Sequence, residues 1–175
     1  MGNQLTQQQL IDEIKTAREK HKAPNLGRKV LRNLDLSGQD LLGVKLQGSD
    51  LQGGNLQKAN LQGANLQGAK LQAANLMEAD LRGADLSGAN LEGAILERAN
   101  LLGANLSKAR LQKANFSGAN LERVDLQKAA LQGAIEAYVV EALGDLDSTL
   151  EEFERTTDTI PRSIRSSRHH HHNQE

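Results

Sequence analysis

Leucine, or in one case phenylalanine, stands at every fifth position from Leu36 to Leu131: twenty consecutive places, nineteen Leu and Phe116. The residue two before each of them is Ala in fourteen units, the exceptions being Leu34, Gln39, Val44, Ser49, Gly54 and Val124. The residue just before is Asn or Asp in fifteen, the exceptions being Lys45, Lys70, Ile95, Arg110 and Ala130. Gly most often stands two after. An α-helix turns about 100° per residue, so a step of five scatters the leucines around its axis and makes no apolar stripe. A flat strand alternates faces, so an odd step throws successive leucines to opposite sides. The pattern therefore predicts a chain that bends once per unit and points every Leu into one shared interior.

The residue types suit such a bend. One large and one small inward side chain per unit fill a narrow interior without voids or overpacking. Glycines such as Gly63 and Gly68 fit a tight turn with φ > 0. Asn and Asp can bond nearby turn backbone, which suits a corner.

The run Ala59-Asn60-Leu61-Gln62-Gly63-Ala64-Asn65-Leu66 resembles the pentapeptide-repeat family, whose unit is A(D/N)LXX. The likeness spans residues 34–133. It implies an all-β solenoid: a right-handed quadrilateral β-helix with four units per coil and here about five coils. Such repeats are abundant in cyanobacteria, and a cyanobacterial-type member is the expectation.

The flanks read as helical caps for the open ends of a solenoid. Residues 1–33 are expected to hold an N-terminal helix and cap. Thr6 and Gln9 form a capping box, Leu5 and Leu10 a staple, and Pro24 the stop. Beyond the column, Ile135, Val139, Leu143, Leu146, Leu150 and Phe153 mark an apolar stripe across residues 134–160. That stripe predicts a helical segment that caps the column or pairs two copies as a homodimer. Residues 161–175 read as a polar, disordered tail. Its His169 to His172 are a tag remnant or a solvated tract rather than a metal site.

Composition narrows the function. The chain has no Cys and three aromatic residues among 175. No apolar run approaches the ~18 residues that span a membrane, and the first 25 residues contain no secretory core, so a cytoplasmic protein without membrane association is expected. Residues 1–33 carry seven basic and three acidic groups, the column ten of each, and residues 134–175 four and nine. Within the column, residues 34–93 carry four basic and seven acidic groups, and residues 94–133 six and three.

No constellation for catalysis appears, and neither a cofactor nor a metal is expected. The serines of the repeat lack a base, the carboxylates stand in rows rather than in a cleft, and the glycines belong to turns. Information about a partner should lie where the period breaks or where apolar side chains point outward: Leu42, Met77, Ile95, Leu102, Lys70 and Arg110. Residues twenty apart should stack, so Lys58, Glu78 and Arg98 form a ladder of alternating sign. The expected function is a non-enzymatic protein–protein interaction or scaffold module whose protein partner is unidentified. The family resemblance offers an alternative, a DNA mimic acting on a type II topoisomerase. The neutral column argues against that, because a mimic must be anionic. Direct nucleic-acid binding lacks both strong basic character and stacking aromatics.

Overall fold

A computed structural model describes residues 4–134. The column in it is built from isolated parallel bridges rather than from strands. Eighteen of these bridges join a residue to the one twenty places on, from Asn25 with Lys45 to Arg110 with Ala130. Four five-residue units therefore make one coil. At ~4.8 Å per coil the stack of five and a half coils is about 26 Å tall. Among the described residues no strand forms and α1 (Gln7–Glu19) is the one helix. The extended stretches are too short for strands because each unit turns after its central Leu. The stripe Ile135 to Phe153 and the expected C-terminal cap lie outside the described residues.

A consensus unit inside the stack accounts for all five of its backbone N–H groups, as a narrow buried wall requires. In the unit of Leu61, the Leu61 amide donates to Asp80 O one coil on at 2.7 Å, and the Gly63 amide to Arg82 O at 2.9 Å. The Ala64 amide closes a turn onto Leu61 O at 3.0 Å, and the Asn65 amide reaches back to Val44 O at 2.9 Å. The fifth amide, of Gln62, has no backbone partner and donates to Oδ1 of Asn60 at 3.2 Å. Asn or Asp thus recurs because one amide per unit needs a side-chain acceptor. Leu and Ala fill the inside and are almost wholly buried, each Leu contributing about 2 kcal/mol. Leu34, large where Ala is usual, stands one coil before Gly54, where a Cβ would come within 3.0 Å of Leu51 O. Ser49 is fully buried and donates its hydroxyl to Leu46 O at 2.7 Å.

The column starts earlier than the boundary at residue 34 expected from the sequence. Asn25 and Val30 already bridge to the next coil, and Leu26 and Leu31 are fully buried. Residues 24–33 are thus two further units, not part of the cap. Nor does Pro24 stop the helix. α1 ends at Glu19: the His21 amide donates to Arg18 O at 3.0 Å and the Lys22 amide to Ala17 O at 2.9 Å. His21 takes the left-handed conformation, φ 53°, in the place glycine usually fills. Pro24 is buried instead at an inward position of the first unit.

The start of α1 agrees with the sequence. The Gln9 amide donates to Thr6 Oγ1 at 3.1 Å and the Thr6 amide to Gln9 Oε1 at 2.9 Å. Leu10 and Ile14 are buried in the core of the column. The helix also supplies hydrogen bonds that a missing coil leaves open. The Leu5 amide donates to Val30 O at 3.2 Å. Gln7 exchanges two bonds of 2.7 Å with the Asp35 backbone, and Arg18 donates to Asp40 O at 2.9 and 3.0 Å and to Leu42 O at 3.0 Å.

Candidate interaction surface

Three positions of each unit face outward: the one before the central Leu and the two after it. They form ladders running along the column, one residue per coil. The four sets of ladders are named here for Leu41, Leu46, Leu51 and Leu56, each of which recurs at steps of twenty.

The sequence candidates fall on these ladders without converging. Leu42 is the most exposed large apolar residue, at 49%. It shares the Leu41 set with half-buried Leu102, three coils away or about 14 Å, and Arg82 lies between them. Arg82 folds onto Asp80 with bonds of 2.7 and 2.9 Å. This contact, its largest influence, holds the Asp80 carboxyl below its usual range despite partial burial. Met77 and Ile95 lie on adjacent coils of the Leu56 set, Ile95 bridged to Asn75, and both are half-buried. Arg98 Nη2 stands 3.6 Å from Met77 Sδ and 2.9 Å from Glu78. Lys58 approaches Glu78 at 3.9 Å, completing the expected ladder. Such exposed pairs contribute little stability. Lys70 and Arg110 share the Leu51 set two coils apart, and Arg110 lies 3.8 Å from Glu92.

Where a long base replaces the corner Asn, the interior suffers. The corner acceptor is lost at Lys45, Lys70 and Arg110, and the next Gln in each unit (Gln47, Gln72, Gln112) buries a side-chain oxygen without a partner. A buried unsatisfied polar atom costs about 1–3 kcal/mol.

A second departure was not legible from residue types alone. The position two after the central Leu is left-handed throughout, with φ near +60°. Glycine takes it freely, as at Gly63 (φ 62°), whereas Lys58 (φ 56°) must bear roughly 1 kcal/mol of strain. Across residues 34–133, eight units have another residue there, and seven of the eight are charged: Lys58, Glu78, Arg98, Lys108, Lys113, Arg123 and Lys128. Five of those are basic and lie in the last two coils.

Two acidic corners near the first end are also tuned. Burial tends to raise the Asp50 carboxyl, but hydrogen bonds from Arg32 and Gln52 and the Arg32 charge outweigh it and leave it lowered. Asp35 is lowered chiefly by the Ser37 hydroxyl, which donates to it at 2.6 Å.

A shallow depression of about 370 Å³ lies between α1 and the first coil, lined by Asp12, Glu13, Lys20 and Lys22 among others. No group of three metal-ligating side chains occurs among the described residues. No helix among them is long and apolar enough to cross a membrane.

Comparison with known proteins agrees with this geometry. A family model described as pentapeptide repeats matches residues 59–98 and 99–135, with eight copies. A pentapeptide repeat protein of the cyanobacterium Cyanothece 51142, Rfr23, is 27% identical over 73% of this chain and 99% of its own, with a TM-score of 0.63. The protein alr5209 of Nostoc PCC 7120 is 36% identical over 53% of this chain and 80% of its own, with a TM-score of 0.49. HetL of the same organism, involved in heterocyst differentiation regulation, is 30% identical over 63% and 73%, with a TM-score of 0.39. No curated protein sequence matches the chain.

Proposed function

The chain belongs to the pentapeptide-repeat family, and we propose that it serves as a non-enzymatic protein–protein interaction module. The division of labour within each unit carries this reading. Leu, Ala and the corner Asn or Asp are consumed by packing and by backbone hydrogen bonds. The two positions after the central Leu project outward without any such duty for their side chains. A rigid rod with freely varied side chains and no cleft suits binding a surface rather than transforming a substrate.

On this reading the column is a right-handed quadrilateral β-helix in a cytoplasmic protein. Residues 134–160 close its far end, and two copies pair through the stripe Ile135, Val139, Leu143, Leu146, Leu150 and Phe153. The surface that meets the partner includes Leu42, Met77, Ile95 and Leu102, with Lys70 and Arg110 as orienting charges.

Affinity capture from native cells tests the function. The full chain is compared with a variant in which Leu42, Met77, Ile95 and Leu102 are replaced by Thr. A protein retained by the first and lost by the second is the expected result; equal retention, or none, removes the support. A gyrase supercoiling assay separates the topoisomerase reading, for which no effect is expected from a neutral column. For the dimer, light scattering should give twice the chain mass, falling to one chain when residues 135–160 are deleted.

A further inference from the structure

The last two coils carry a basic collar. Lys108 and Lys128 stack on one corner, Lys113 stands on the next, and Arg123 on the corner before, all in left-handed backbone. None of the four has an ion-pair partner among the described residues; seven other bases there do, and Lys15, Lys20, Lys22, Arg28, Lys45 and Lys70 do not. Across residues 34–93 glycine fills nine of the twelve equivalent places, so the turn itself does not ask for a base. Stacking two lysines one coil apart is unfavourable unless negative charge faces them.

That charge lies in the same chain. The described residues end at Ala134, in the coil of the collar, and the next 26 residues carry eight acidic groups and one basic: Glu136, Glu141, Asp145, Asp147, Glu151, Glu152, Glu154 and Asp158 against Arg155. At about 3.3 Å per residue, a stretch of ten residues is ample to reach back over two coils. We propose that the collar is the docking surface for the acidic side chains of residues 135–160 of the same molecule. The proposal does not depend on the dimer, because the stripe Ile135 to Phe153 and the acidic residues are different side chains.

Carbodiimide coupling, which joins a lysine amine directly to a carboxylate in contact with it, tests this on the full chain. Mapping by mass spectrometry is expected to find Lys108, Lys113 or Lys128 joined to acids between Glu136 and Asp158, with the yield falling several-fold in 1 M salt. A mixture of isotopically light and heavy chains should give links within one chain. Links between chains, links to Lys15, Lys20 or Lys22 instead, or no links to the segment would overturn it. A second variant replaces Lys108, Lys113, Arg123 and Lys128 by Gly, which relieves backbone strain and so keeps the column folded. Tyr138, the only tyrosine, reports on the segment. Its fluorescence anisotropy should drop on adding salt to the natural chain and be low and salt-independent in the variant. Equal behaviour of the two proteins would also overturn it.

Discussion

The two ends of the column solve one problem with different means. A coil at either end leaves half its backbone hydrogen bonds without a neighbouring coil. At the first end most orphans are carbonyls, and the residues in and just before α1 supply donors, the Leu5 amide, the Gln7 amide group and the Arg18 guanidinium, while Gln7 also accepts from the orphan Asp35 amide. At the last end most orphans are amides. Those of Phe116, Leu121, Leu126 and Leu131 would each donate to a coil beyond, and none finds a backbone acceptor among the described residues. Donor-rich side chains suit the first edge, and an acidic, acceptor-rich segment suits the last.

The largest test strikes both ends at once. Leu76→Asp buries an unpaired charge in the middle ladder and should cost several kcal/mol, enough to lose the circular-dichroism signal of the whole column. Gln62→Asp, facing out, should change stability by less than about 0.5 kcal/mol. If both are tolerated alike, the inward and outward assignment is wrong.

Leu10→Ala acts on the first end alone. Leu10 is fully buried under the first coil, so about 2–5 kcal/mol should be lost in denaturant unfolding. Hydrogen exchange should quicken around Leu26 and Leu31 before Leu111. Uniform quickening would mean that the ends are not separable.

Arg18→Ala should have a smaller effect, about 1 kcal/mol, because the carbonyls of Asp40 and Leu42 lose their donor but keep access to water. Thermal melting resolves that loss, and no change in melting would show that the cap rests on Leu10 and Ile14 alone.

Acid should give the mildest effect. Asp35, Asp50, Asp80 and Asp85 all titrate below the usual carboxylate value. The unfolded chain therefore binds protons first as pH falls. Their contribution is complete above about pH 4 and fades as pH drops through the lowered values. Replacing all four by Asn keeps the corner acceptor and should flatten melting temperature against pH below 4. An unchanged slope would place the acid sensitivity elsewhere.

Much of this was legible in residue types, and the failures have physical causes. The interior, the corner role of Asn and Asp, the capping box of Thr6 and Gln9 and the Lys58–Glu78–Arg98 ladder all follow from period and chemistry. The first two units escaped because Pro24, Lys29 and Val30 break the consensus, although Leu26 and Leu31 keep the step of five. The helix end escaped because His21 holds a conformation usually left to glycine, so Pro24 looked like the stop. Outward residues are harder still, since nothing inside the column constrains them. The outward candidates of the sequence fall on separate ladders: Met77 and Ile95 on adjacent coils of one set, Leu42 and Leu102 three coils apart on another. The left-handed strain that marks Lys108, Lys113, Arg123 and Lys128 needs backbone angles to be seen.

The central claim, that each end of the column is completed by the chain flanking it, is tested most directly by amide hydrogen exchange on the full chain and on a chain ending at Ala134. The account predicts that the amides of Phe116, Leu121, Leu126 and Leu131 are protected in the full chain and exchange at least tenfold faster in the shortened one, while those of Leu36 and Leu41 are unchanged. Equal protection of the four edge amides in both proteins would contradict it.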